Sequence, residues 1–100
     1  MTNHQTVLSE IKAHIRGNGN SFRAWYAGIT NDPKRRVFDD HKVSQSSGVY
    51  IWRKCLSTDT ARSVETSLIS AGTDGGDGGG RQSSQFVYAY KKSSYTREKA

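Results

Sequence analysis

The stretch Phe22–Arg36, FRAWYAGITNDPKRR, decides how this chain folds. Its first half, Phe22–Ile29, is aromatic and compact, the composition of a strand. Alternation along it places Phe22, Ala24, Tyr26 and Gly28 on one face and Arg23, Trp25, Ala27 and Ile29 on the other. The second half changes the backbone. Asp32 is a good helix cap, and Pro33 suits the first helical position because it has no N–H to lose. A short helix is therefore predicted from about Pro33 to Lys42, with Val37 on one of its sides and Arg36 and Asp40 spaced for an i, i+4 ion pair.

Working outward, residues 2 to 16 read as a helix. Val7, Leu8, Ile11 and Ile15 fall on one apolar face, Thr2 or Asn3 is placed to cap it, and Gly17–Asn20 stops it. After the polar loop Ser44–Gly48, Val49–Leu56 reads as a second strand, with Val49, Ile51, Arg53 and Cys55 opposite Tyr50, Trp52 and Lys54. Ser57 and Thr58 offer caps for a helix over about Asp59–Ala71, whose buried stripe is Ala61, Val64 and Leu68 and whose terminator is Gly72. Gly72–Gly80 holds six of the ten glycines, so it cannot contribute to a core and is expected to be a flexible connection. Phe86–Lys91 is the last strand, with Phe86, Tyr88 and Tyr90 on one face, and the polar tail from Ser93 to Ala100 is expected to fray. The sum is one α/β (α+β) domain over residues 1–100, a small three-stranded, mainly antiparallel sheet flanked by helices.

Composition narrows the function classes. Lys and Arg number 15 against 9 Asp and Glu, a formal charge of +6 with a pI near 9.7. A basic surface concentrates phosphate polymers, so composition alone leaves a nucleic-acid partner and a surface basic for solubility at about even odds. No apolar run approaches the roughly 20 residues that span a bilayer, and MTNHQTVLSE lacks the basic-then-apolar layout of a signal peptide, so a cytoplasmic location without membrane association is expected. The single cysteine, Cys55, excludes an internal disulfide and a cysteine zinc site. The glycine-rich segment lacks the Gly-Lys-Ser/Thr ending of a phosphate loop, and Asp74 and Asp77 lack the ligand spacing of a calcium loop.

Chemistry concentrates at the first strand–helix junction. Tyr26, Gly28, Arg35, Arg36 and His41 bring a phenol, guanidinium groups and an imidazole to one place. Arginine's planar fork matches two phosphate oxygens at once.

Tyr26-Ala27-Gly28-Ile29-Thr30-Asn31-Asp32-Pro33-Lys34-Arg35-Arg36…His41 resembles the second signature of the GIY-YIG endonuclease family, in which a Tyr-x-Gly strand leads into a helix carrying an arginine and then a histidine or tyrosine. The family's next landmark, a glutamate on the following helix, corresponds to Glu65. The resemblance covers roughly residues 22 to 72, and it extends to the glycine-rich turn into Phe86–Tyr90, which looks like the closing segment of small phage and bacterial members. It implies hydrolysis of phosphodiester bonds in nucleic acid, DNA before RNA, with one divalent cation, Mg²⁺ or Mn²⁺, held by Glu65. Tyr26 would stand beside the attacking water as base or orienter. Arg35 or Arg36 would neutralise charge on the phosphate oxygens, and His41 would carry a proton or touch the phosphate. The family's first signature, Gly-Ile-Tyr just before the Tyr-x-Gly strand, is absent; Tyr50 or Tyr88 from another strand is placed to supply the phenol. His41 also stands five residues after Arg36 and six after Arg35, where four make a helical turn. The cations expected to meet nucleic acid are Arg23, Lys34, Lys42, Arg53, Lys54 and Arg62. The rival expectation is a catalytically inactive module of the same fold that binds nucleic acid, a nucleotide or a protein partner. A chain of this size reads bases poorly alone, so a homodimer or protein partner would supply specificity.

Overall fold

A strand such as Trp25–Thr30, with large groups on both faces, must be covered from both sides. In the computed structural model, which describes residues 3–75 and 84–98, all six of its residues are buried. The elements in chain order are α1 (Asn3–Gly17), β1 (Trp25–Thr30), a π-helix (Arg35–Asp40), β2 (Tyr50–Lys54), α2 (Thr58–Ala71), β3 (Asp74–Gly75) and β4 (Phe86–Lys91). The result is an α+β fold.

The sheet has the order β2-β4-β1-β3. β4, last in sequence, lies in its interior and pairs antiparallel with both β1 and β2. The fourth strand corrects the expected count of three. β3 pairs parallel with the outer edge of β1, Tyr26 opposite Asp74 and Ala27 opposite Gly75, so the sheet is mixed. Gly75 permits that pairing because it has no side chain: a Cβ there would overlap Ile69 of α2, whose Cγ1 is 2.8 Å from that position. The start of the glycine-rich segment is thus built into the sheet, while residues 76–83, including Asp77, lie outside the described residues. A second difference concerns Phe22–Ala24, which forms a 3₁₀ turn instead of the beginning of β1. The chain leaves Gly19 and Asn20 at positive φ (112° and 53°) and closes one more turn, Ala24 N–H to Ser21 O at 3.1 Å, before extending.

The two sheet faces bury different chemistry. One carries Trp25, Ala27, Ile29, Ile51, Val87 and Ala89 against Val7, Ile11 and Ile15 of α1 and Ala61, Val64 and Leu68 of α2. These are the helix stripes read from spacing, and Cys55 packs among them as a small apolar group. The other face carries Tyr26, Tyr88 and Tyr90, covered by Val37 and Val43 and flanked by Phe38, Tyr50 and Trp52. α2 opens on Ser57, whose hydroxyl accepts the Thr60 N–H at 3.1 Å, and closes on Gly72 at φ 129°.

Register explains Gly28. It sits opposite Tyr88, and the Tyr88 ring lies across the space a side chain at 28 would fill: a Cβ there would stand 2.6 Å from Tyr88 Cζ. Gly28→Ala is expected to push this ring away at a cost of roughly 1–3 kcal/mol, typical of overpacking, measured as a lower urea midpoint with unchanged slope. Ser57→Ala is expected to cost about 1 kcal/mol through the lost cap, measured the same way; an unchanged midpoint would show the cap to be idle.

Candidate active site on the tyrosine face

The helix after Pro33 is wound in i→i+5 hydrogen bonds. His41 N–H reaches Arg36 O at 3.0 Å. In an α-helix, at about 100° per residue, positions five apart diverge by roughly 140°. The wider π winding turns less per residue and so brings Arg36 and His41 closer to one side, and such segments are rare and often functional. This accounts for the five-residue spacing and distinguishes the two arginines. Arg36 turns inward, half-buried, paired with Asp40 at 3.2 Å and hydrogen-bonded to Tyr88. Arg35 is exposed, its backbone N–H donating to Asp32 Oδ1 at 3.2 Å.

His41 is fully buried. Its Nδ1 lies 2.6 Å from Arg97 O, and a carbonyl only accepts, so Nδ1 carries the hydrogen. Nε2 is then the acceptor, and Tyr88 donates its hydroxyl to it at 2.8 Å. The Tyr88 oxygen in turn accepts from Arg36. Tyr26 packs against the imidazole, ring centroids 4.9 Å apart, and lies stacked with Tyr90 at 5.4 Å. Tyr90 donates to Glu98 Oε2 at 2.9 Å, and Thr96 donates to the same oxygen at 2.7 Å. The tail expected to fray from Ser93 is therefore tied to the site as far as Glu98.

Glu65 occupies α2 one residue beyond the core stripe and is only 9% exposed. Its Oε2 is buried with no hydrogen-bond partner. Burial raises its pKa above the ordinary 4.5, opposed by the nearby Arg62 charge. Glu65 is felt at both tyrosines: Tyr26 is pushed up first by burial, pulled down by Arg36 and pushed up again by Glu65, while Tyr88 is raised by burial and Glu65 against Arg36. His41 is pushed below its usual 6.5 by burial, against the Arg97 carbonyl and with the Arg36 charge. A buried carboxylate with one unclaimed oxygen suits one hard divalent cation whose remaining sites go to water and phosphate. No cluster of three or more His, Cys, Asp or Glu able to hold a metal by protein ligands alone occurs among the described residues.

Comparison with protein-family models, with curated proteins and with solved structures finds no match. The geometry therefore stands by itself.

Of the residues singled out by sequence, Tyr26, Arg36 and His41 converge, Tyr88 joins them, and Glu65 lies within electrostatic reach. Tyr50 does not join: it sits two strands from Tyr26, against Phe38 at 4.9 Å and stacked on Trp52 at 5.6 Å. Lys34, Lys42, Lys54, Arg23 and Arg62 are exposed. Arg53 is drawn to the helix side of the sheet, where its Nε meets Glu10 of α1 at 2.9 Å. Tyr90, the Arg97 carbonyl and Glu98 went unread in the sequence as site groups. Tyr90 had a signal, sharing a strand face with Tyr88; the tail contacts had none.

The buried groups set opposite pH dependences. His41 refuses a proton that the unfolded chain takes up below about 6.5, so its contribution to stability falls as pH drops through that value. Folded Glu65 keeps its proton to higher pH than the unfolded 4.5, so its contribution is full below 4.5 and is lost as pH rises through the raised pKa. Glu65→Gln is accordingly expected to raise the thermal midpoint at about pH 8 and leave it nearly unchanged at about pH 4. A midpoint lowered at the higher pH would show instead that the carboxylate holds the fold together.

Proposed function

We propose that this chain is a divalent-metal-dependent nuclease that hydrolyses phosphodiester bonds in DNA, with its site on the tyrosine face. The observation that carries the reading is the meeting of Tyr26, Arg36, His41 and Tyr88 on one sheet face, with Glu65 of α2, whose Oε2 is buried and unpartnered, within electrostatic reach of both phenols. The resemblance of residues 26–41 to the GIY-YIG signature calls for a second phenol on a strand next to the Tyr-x-Gly strand. Tyr88 on β4 fills that position, directly opposite Gly28. The phenol strand follows the Tyr-x-Gly strand along this chain instead of preceding it, which is why no Gly-Ile-Tyr run stands before Tyr26.

Each residue has a role its surroundings allow. Arg36 stands beside Tyr88 and Asp40 on the site side of the π-helix, where its charge would offset that building on the phosphate oxygens. The Tyr26 hydroxyl takes no hydrogen bond from the described residues and is free to orient the attacking water. Tyr88 accepts the proton of that water on its oxygen while passing its own to His41 Nε2. His41, held neutral at pH 7 by burial, is ready to receive it. A divalent cation on Glu65 would polarise the phosphoryl oxygen and lower the pKa of bound water. The exposed Lys34, Arg35, Lys42 and Arg62 would contribute salt-dependent attraction to the polymer.

Purified protein is expected to nick supercoiled DNA with Mg²⁺ or Mn²⁺ and to stop on chelation. Arg36→Ala, Glu65→Ala and Tyr88→Phe should each lower the rate by about 10²–10³-fold, while Arg35→Ala changes it by less than about threefold, as expected of an exposed cation. Cleavage of RNA but not DNA would redirect the substrate assignment. Salt-dependent binding without cleavage, indifferent to chelator and to Glu65→Ala, would establish the inactive binding module instead.

A further inference from the structure

The segment Thr96–Glu98 is held against the site through both its backbone and its side chains. Arg97 makes two bonds to one residue: its N–H donates to His41 O at 2.7 Å, and its carbonyl takes the His41 Nδ1 hydrogen at 2.6 Å. Glu98 Oε2 accepts from Tyr90 at 2.9 Å and from Thr96 at 2.7 Å, and the Tyr90 oxygen stands 3.1 Å from His41 Nδ1. Since the Tyr90 hydrogen goes to the carboxylate, its oxygen can only accept from Nδ1–H. Every polar group on the Nδ1 side of His41 is thus an acceptor, or leads to one.

We propose that Thr96–Glu98 is a positioning element that fixes the tautomer of His41 and stabilises its protonated form. The inference deepens the nuclease reading and rests on it for its catalytic consequence. With the Nδ1 hydrogen committed to Arg97 O, Nε2 presents its lone pair to the Tyr88 hydroxyl. When His41 Nε2 gains the Tyr88 proton, the positive charge appears beside the Tyr90–Glu98 pair, whose carboxylate offsets it through the phenol. Proton count balances: Tyr88 gives one and regains one from the attacking water, and His41 holds one more. The groups facing this imidazole are Arg36 and Asp40 of the π-helix, Tyr26 of β1, Tyr88 and Tyr90 of β4, and Glu98 of the tail. Arg36 opposes the imidazolium, while Asp40 and Glu98 favour it. A protonatable imidazole oriented through its far nitrogen by a carbonyl or carboxylate is a recurrent solution to the same requirement.

The test uses the full chain with ¹⁵N-labelled histidine, His41 being assigned by loss of its signals in His41→Gln. The unsubstituted protein should show His41 with hydrogen on Nδ1 and an unprotonated Nε2. Arg97→Pro, which removes the N–H that docks the tail, should convert this to a mixture of tautomers. Glu98→Gln should keep the tautomer but lower the His41 titration midpoint. In cleavage assays it should lower the plateau rate roughly tenfold and move the acid limb of the pH profile to lower pH, with Glu98→Asp recovering part of the rate. Unchanged His41 signals in both variants would overturn the proposal. If the signals shift as expected and no variant, nor the unsubstituted protein, cleaves nucleic acid, the positioning role stands and the nuclease reading falls. If cleavage occurs and Glu98→Gln leaves rate and pH profile untouched, the stabilising role of the carboxylate falls.

Discussion

The Tyr88 hydroxyl, accepting from Arg36 and donating to His41 Nε2, is the junction on which the site depends. It lies between the sheet and the segment that covers it, and it satisfies an imidazole with no exposure to water. Burying a histidine without partners on both nitrogens costs the desolvation of each. Here the far nitrogen is satisfied by the Arg97 carbonyl, so one residue ties β4, the π-helix and the tail together. Three features elsewhere follow from the requirement. Gly28 has to be bare for the Tyr88 ring to pass over it. The helix has to be wound so that Arg36 and His41 share a side. The chain beyond β4 has to turn back over His41.

The arrangement sets stability against chemistry. Glu65 is buried beside Val64 with an oxygen that no described group satisfies, and its carboxyl is pushed up accordingly. A protein selected for stability alone would place glutamine or an apolar residue there, as desolvated unpaired charge is among the costliest features a small domain can carry. Glu65 belongs to α2, whose Ala61, Val64 and Leu68 pack into the aliphatic core on the face opposite the tyrosines. One face of the sheet carries the aliphatic core and the other the cluster of tyrosines with His41, and β1 and β4 belong to both.

Much of this was legible in the residues. The alternation in FRAWYAGI placed Trp25 with Ala27 and Ile29 and set Tyr26 apart. The stripes of α1 and α2, the cap at Ser57, the terminator at Gly72 and the limits of β4 followed from local spacing. The count of strands did not. β3 is two residues long in a glycine-rich run and forms only because α2 and β1 present an edge to it. The unusual winding of the short helix was visible only as an awkward five-residue spacing, since local propensity does not separate π from α turns.

The sequence by itself determined which side chains share a face, where the helices begin and end, and that a phenol, two arginines, an imidazole and a buried-side carboxylate belong to this small basic chain. Those properties are local: they depend on periods of two and 3.6 residues and on cap chemistry. Tertiary structure decided which arginine faces inward, which phenol meets the imidazole, and that the tail holds His41. Those outcomes turn on strand order and register, which bring Tyr88 beside Gly28 across some sixty residues of chain and seat Arg97 on His41 across 56. No local pattern encodes such distances; they emerge when both faces of the sheet are covered at once.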